Sequence, residues 1–161
     1  KARQIIAVDL KDSRLEMAKQ VGATHTIRGD QCPDIVSEIK SITGAGAHCS
    51  LDTTANMTVL RQAVECLRPQ GVCGFVGGAA AGSELVVDVR DIMIGGKTVR
   101  GIVEGDSNPS ELIPRLVRMY RAGEFPIDRL IRYYPFDQID QAIHDSESGA
   151  AIKAVLRMPG A

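Results

Sequence analysis

Hydrophobic positions along this chain alternate between two spacings. Short unbroken or alternating apolar runs trade places with stretches that repeat every three or four residues, the marks of strands and amphipathic helices. The first run, Gln4 to Val8, predicts a buried strand ending at Asp9, and a helix follows from Ser13 to Val21. Asp12 or Ser13 is expected to cap it, Ser13 with Glu16 forming a capping box, and Gly22 to stop it. A short strand is predicted near Thr24 to Ile27. A helix from about Asp34 to Gly44 follows, with Ile35, Val36, Ile39 and Ile42 at core spacing. Ala47 to Asp52 reads as a strand. Asn56 caps a third helix with Met57, Leu60, Val64 and Leu67 inward and Pro69 just past its end. Gly71 to Val76 is a strand without charge, as expected of a parallel strand buried on both faces.

Beyond this the pattern predicts a short edge strand at Leu85 to Val89, a helical turn at Asp91 to Ile94 and a strand at Lys97 to Val103. A longer helix runs from Ser110 to Ala122 with Leu112, Ile113, Leu116, Val117 and Tyr120 as its stripe. Pro114 is tolerated there if Ser110 is the cap, because the first helical amides have no partner. The tail adds a strand (Leu130 to Tyr134), a helix (Asp137 to His144) and a last strand (Ala151 to Met158). Up to about residue 104 the order β-α-β-α-β-α-β predicts a parallel α/β sheet.

Composition narrows the picture. The chain has 161 residues, which fits one domain, and its 44% hydrophobic and 24% charged residues are those of a globular protein. A formal charge of −1, with no long basic run, removes the electrostatic footprint of a nucleic-acid binder. No apolar stretch approaches the roughly 20 residues of a membrane span. Cys32, Cys49, Cys66 and Cys73 form no C-x-x-C pair, so free thiols and a reducing, cytoplasmic setting are expected. His25, His48 and His144 are scattered, without metal-ligand spacing to any Cys or carboxylate.

The chemistry is carried by strand ends. A carboxylate such as Asp9, closing an apolar strand just before a helix, can accept two hydrogen bonds from a vicinal ribose diol and repel a 2′-phosphate, which favours NAD over NADP. Lys11 and Arg14 lie within reach of the same ribose. In nucleotide-binding α/β folds such a strand is the second. The first strand, with the G-x-G-x-x-G turn that holds a pyrophosphate, is not found in this sequence, and no Met precedes Lys1. The chain is therefore expected to be a fragment cut inside a cofactor domain. Ligands of open α/β sheets bind at the carboxyl ends of strands, here Asp52-Thr53-Thr54, Val76-Gly77-Gly78 and Ile102-Val103-Glu104. Gly77 and Gly78 would let a flat nicotinamide approach the backbone.

Several of these runs together resemble one family. Ile5-Ile6-Ala7-Val8-Asp9, Arg14 to Lys19, Val21-Gly22-Ala23-Thr24-His25, Asp52-Thr53-Thr54, Gly71-Val72, Val76-Gly77 and Lys97 to Gly101 are similar to the cofactor domain of the medium-chain, zinc-dependent alcohol dehydrogenases. Gly101 to Pro109, Tyr133-Tyr134-Pro135-Phe136 and Ile152 to Leu156 look most like its aryl-alcohol (benzyl alcohol) branch.

The resemblance implies an incomplete Rossmann-type doubly wound parallel sheet over residues 1–130, and a tail over 131–161 that would pack on an absent catalytic domain. It implies that Asp9 and Arg14 bind the adenosine ribose, that Thr53 and Thr54 flank the adenine side, and that Val76, Gly77 and Gly78 meet the nicotinamide. Ile102 and Glu104 would lie near the carboxamide, and Lys153 near the pyrophosphate. Ala55 stands where the family often has Gly. Zinc would be a cofactor of the parent enzyme alone, its ligands lying outside these residues. The parent would be a homo-oligomer passing hydride between an alcohol and NAD, and the isolated chain would be inactive. Tyr133, Tyr134, Ile152 and Val155 would then be left exposed, and the edges of the strands at Gln4 to Val8 and Ala47 to Leu51 would close on each other or on a second copy. Two alternatives stay open: a non-catalytic cofactor-binding or assembly module, and a zinc-free quinone or enone reductase relative, against which Asp9 argues.

Overall fold

A computed structural model describes residues 2–160, and the chain divides into two compact units. One is built from Cys32–Ser107. The other joins residues up to Gln31 with those from Asn108 onward.

The first of these contains α2 (Ile35–Thr43), β3 (Ala47–Asp52), α3 (Met57–Glu65), β4 (Leu67–Phe75), α4 (Val89–Gly95) and β5 (Thr98–Gly101). Its sheet has the order β3-β4-β5 and every pairing is parallel. Apolar residues one helical turn apart explain why α3 folds against it. Leu60 and Val64 share one face and are buried with Leu67 and Cys73, while Met57, Phe75 and Val99 pack around them. Burying each such side chain contributes roughly 1.5–3 kcal/mol. The α3 start is fixed by Asn56, whose Oδ1 accepts the amides of Thr58 and Val59, as its place before the periodic run predicts. Asp34 caps α2 in the same way, accepting the Ser37 amide and hydroxyl. These bonds hold its carboxyl below the usual range.

Two sequence expectations in this unit fail. β4 begins earlier than Gly71: Leu67 already pairs with Ala47, and the ladder resumes at Val72 opposite Cys49 after an irregularity that includes Gln70 at φ 62°. Leu85 to Val89 forms no strand. Its alternation is real, since Leu85 and Val87 pack against the core, but no neighbouring ladder is supplied. Asp88 instead caps α4, its Oδ1 accepting from Arg90 and Asp91.

The other unit contains β1 (Ile6–Asp9), α1 (Asp12–Gln20), β2 (His25–Arg28), α5 (Pro109–Arg121), β6 (Ile131–Pro135), α6 (Ile139–Ser148) and β7 (Lys153–Arg157). β1 pairs parallel with β2, and β6 with β7, so each pair with its helix is a βαβ motif. Leu15 and Ile27 are buried in the first motif. Tyr134, Ala142 and Ala151 form the core of the second.

The predicted caps of two helices are replaced. Lys11, in extended conformation, occupies the N-cap of α1 and its side chain makes no capping bond. The helix already starts at Asp12, so Ser13 lies inside it and the Ser13–Glu16 capping box is not formed, Glu16 pairing with Lys19 instead. Asn108, not Ser110, caps α5, with Pro109 at its first position. Pro114 thus falls beyond the free amides and removes an internal helix bond. The stripe of α5 is real in sequence, but Ile113, Val117 and Tyr120 are exposed.

Of the tail residues expected to be exposed, Tyr133 is and Tyr134 is not. Tyr134 is 3% exposed and its hydroxyl donates to Asp145 at 2.7 Å, so a polar partner on α6 draws the ring inward. β1 and β3 each have one ladder partner within their own unit among the described residues, β2 and β4 respectively.

Candidate functional site

Parallel strands in register end together, and that is what builds a site in the Cys32–Ser107 unit. Asp52, Phe75 and Gly101 lie side by side. Each ladder then runs one step further. The Val76 amide donates to the Asp52 carbonyl at 2.9 Å, and the Ile102 amide to the Phe75 carbonyl at 3.0 Å. Thr53, Thr54, Val76, Gly77, Gly78, Ile102 and Glu104, all proposed from sequence, therefore leave one sheet edge.

The loop after β3 is tied down by a residue that sequence reasoning noted only as a strand end. Asp52 is 3% exposed, and its Oδ1 accepts both the amide of Thr54 and its hydroxyl, the latter at 2.7 Å. The Thr54 oxygen in turn accepts the Asn56 amide. Thr54 is thus a brace of the loop, while Thr53 is exposed and makes no side-chain bond. The Asp-Thr-Thr-x-Asn run, an Asx-type turn leading to an N-cap, is the signal that reveals it. Ala55 adopts φ 56°, a left-handed conformation that Gly would reach without strain.

Gly77 sits against that turn. A Cβ on Gly77 would lie 2.5 Å from the Ala55 nitrogen and 3.0 Å from its Cα, so the two loops meet backbone to backbone. At Gly78 a Cβ would meet nothing within 4 Å, which leaves an open flank. The Ile102 side chain lies over Gly74. Glu104, exposed, opens a turn in which Glu104, Gly105 and Asp106 all have positive φ, held by an Arg100–Asp106 ion pair of 2.7 Å.

In the other unit the β1 carboxyl end carries Asp9. Its Oδ1 accepts the Lys11 amide at 2.9 Å, and its Oδ2 lies 3.8 Å from the Arg14 guanidinium. Oδ2 therefore keeps accepting capacity, with Arg14 beside it. Lys11 does not share that role: its ammonium donates to the Glu147 carbonyl at 2.8 Å. Lys153 is exposed at the amino end of β7 and its ammonium joins no ion pair among the described residues. Arg28 bridges Asp12 and Asp30, which raises its pKa and lowers that of Asp30.

Other chemistry is sparse. All four cysteines are free thiols, and burial pushes the pKa of Cys66 and Cys73 up, which keeps them protonated and inert. Among the described residues no three His, Cys, Asp or Glu side chains come together as metal ligands. The residues here therefore do not fit a zinc centre. A concavity of about 520 Å³ on the β6–β7 motif is lined by Tyr133, Phe136, Asp137, Arg157 and their neighbours, and contains none of the candidate residues.

Parallel βαβ motifs with a carboxylate at one strand end, and braced glycine loops at others, define a nucleotide-cofactor domain of the α/β class. The family model described as zinc-binding dehydrogenase matches residues 1–120, and the chain belongs to that family. The geraniol dehydrogenase of Castellaniella defragrans is 40% identical over 155 residues, covering 96% of this chain and 42% of that protein. The crystal structure of benzyl alcohol dehydrogenase from Acinetobacter calcoaceticus superposes with a TM-score of 0.94 at 43% identity, over 98% of this chain and 43% of that one. An alcohol dehydrogenase zinc-binding domain protein from Burkholderia ambifaria gives 0.94 at 45% identity, over 98% and 42%. The chain thus spans about 42% of the length of the curated relatives it matches.

Proposed function

We propose that this chain supplies the NAD-binding part of an alcohol dehydrogenase acting on aryl or other bulky primary alcohols. The observation that carries it is Asp9: a strand-end carboxylate with one oxygen fixed by a backbone amide and the other free beside Arg14. A free oxygen there accepts from a ribose hydroxyl, and its charge repels a 2′-phosphate. Bound NAD would supply the hydride acceptor. Asp9 and Arg14 would hold its adenosine ribose. Thr53 and Thr54 would line the adenine side, Thr54 as the brace. The open flank of Gly78, with Val76 and Gly77, would receive the nicotinamide face, and Ile102 and Glu104 the carboxamide. Lys153 would offer charge to the pyrophosphate. The substrate class is drawn from the names of the geraniol and benzyl alcohol enzymes.

Residues 1–130 act as the cofactor part and 131–161 as the surface for the remainder of the enzyme. Zinc would serve that remainder, and no step is assigned to it through these residues. Four free thiols suit the cytoplasm. No described helix is long and apolar enough to cross a membrane. The 161 residues alone are expected to bind NAD weakly, to turn over no alcohol and to self-associate.

Heteronuclear NMR titration with NAD tests the reading. Shift changes should centre on Asp9, Arg14, Thr53, Gly77, Gly78 and Ile102, and Asp9→Asn should weaken NAD roughly tenfold while barely changing NADP. Equal losses for both dinucleotides, or shifts confined to other residues, would refute it.

A further inference from the structure

We propose that the C-terminal end of α6 is a positioning clamp for the Asp9 carboxylate, acting through Lys11; this rests on the reading of Asp9 as the ribose acceptor. A helix leaves its last carbonyls without internal partners. At the end of α6 two carbonyls are met from the start of α1, by Lys11 and Ser13. The Glu147 carbonyl accepts the Lys11 ammonium at 2.8 Å, and the Gly149 carbonyl accepts the Ser13 hydroxyl at 3.2 Å. A cation at a helix C-terminus is also favoured by the helix dipole. The lysine stem crosses Gly149, whose φ of 83° and missing Cβ make room for it; a Cβ there would collide with Lys11 Cδ.

The same lysine fixes the carboxylate. Its backbone amide donates to Asp9 Oδ1 at 2.9 Å. One residue is therefore held at its ammonium by α6 and holds Asp9 at its amide, so the direction of the free Oδ2 depends on where α6 ends. The far end of α1 is tied separately, to the turn before β6, the Arg129 guanidinium donating to the Gln20 carbonyl at 3.4 Å. Lys11 touches no ligand in this scheme. It is a strut, and the segment from Asp145 to Gly149 is its footing: the Asp145 carbonyl accepts the Ala151 amide, and its carboxylate is held by Tyr134 and Gln141.

A strut makes a prediction that general stability does not. Lys11→Met keeps the aliphatic stem and removes the ammonium. It is expected to weaken NAD roughly three- to tenfold while leaving NADP nearly unchanged, so the NAD preference shrinks. Gly149→Ala, which leaves Lys11 itself intact, should act in the same direction. In a double-mutant cycle Lys11→Met should add little to Asp9→Asn. Equal weakening of both dinucleotides, or full additivity, would overturn the clamp. If Asp9→Asn itself leaves the preference untouched, the ribose reading fails instead. Hydrogen exchange of the residue 11 amide in the free chain decides the matter without ligand. Exchange faster by roughly tenfold in Lys11→Met supports the clamp, and an unchanged rate refutes it.

Discussion

Gly77→Ala places a methyl group where the Ala55 backbone already lies. The added carbon would sit 2.5 Å from the Ala55 nitrogen and 3.1 Å from its Cβ, well inside ordinary contact. Neither neighbour is the tip of a flexible side chain. Ala55 is held between the Thr54 turn and the Asn56 cap, so relief requires moving the β3 and β4 loops apart. Overpacking against backbone costs about 1–3 kcal/mol, which is roughly a 5- to 150-fold change in the folding equilibrium. The matched control is Gly78→Ala, one residue on, where the new methyl meets nothing within 4 Å and φ lies outside the left-handed region. That change should be neutral or slightly stabilising, since it only narrows the unfolded ensemble. Urea unfolding followed by circular dichroism compares the two directly, with m held common to both. Amide shifts at Thr54, Ala55 and Asn56 should also move in Gly77→Ala and stay in place in Gly78→Ala. Midpoints that agree to within about 0.3 kcal/mol would refute the close backbone approach, and with it the placement of these two loops.

Four further outcomes are expected. Ala55→Gly removes a left-handed alanine at φ 56° and should stabilise by about 0.5–1 kcal/mol in the same urea assay. Lys97→Met leaves the Val64 carbonyl and Asp91 without the ammonium that both now receive, and should cost about 1–3 kcal/mol, read as a lower thermal midpoint. The β6–α6–β7 motif should loosen at both pH extremes. Hydrogen bonds from Tyr134 and Gln141 hold the Asp145 pKa below its ordinary value, so that stability is full above about pH 4 and is lost as pH falls through the folded value. Burial and the bond to Asp145 raise the Tyr134 pKa, so its share is full below about pH 10 and fades as pH rises beyond. Tyrosine fluorescence against pH should show both limbs, and Asp145→Asn should abolish the acidic one. Finally, exposed Val8 on β1 and Leu51 on β3 border strands with one ladder partner each, so sedimentation should show concentration-dependent association that Leu51→Lys reduces.

Much of this fold is legible in the sequence because burial and capping are local. The Leu60–Val64 face, the Asn56 cap, the start of α2 around Asp34 and the β3 strand follow from the local pattern. Some failures are shifts of a cap by one or two residues, as at Asn108; others depend on a partner distant in sequence. Leu85 and Val87 alternate like a strand, but alternation records burial, not the presence of a ladder. Tyr134 looks like stranded apolar surface until the Asp145 carboxylate is placed beside its hydroxyl. At the candidate site the strand-end residues were readable, since an acidic or glycine-rich strand end is a local signal. The footing of Lys11 on α6 was not, because it lies at the far end of the chain, whereas the bracing role of Asp52 had a local signal, the Asp-Thr-Thr-x-Asn run, that went unread.

The interrupted unit has a consequence for synthesis. Its N-terminal portion, up to Gln31, leaves the ribosome before the residues from Asn108 onward exist. The 76 residues of Cys32–Ser107 (107 − 32 + 1) come between, which at about 5–20 residues per second takes roughly 4–15 s. The inserted unit can fold in that interval, since it carries its own sheet and core. Meanwhile Ile5, Val8 and Leu10, still substantially exposed in the finished fold, wait in the open beside a turn whose footing has yet to be made. Until those later residues arrive, the β1–α1 segment is the part of this stretch most open to misassociation.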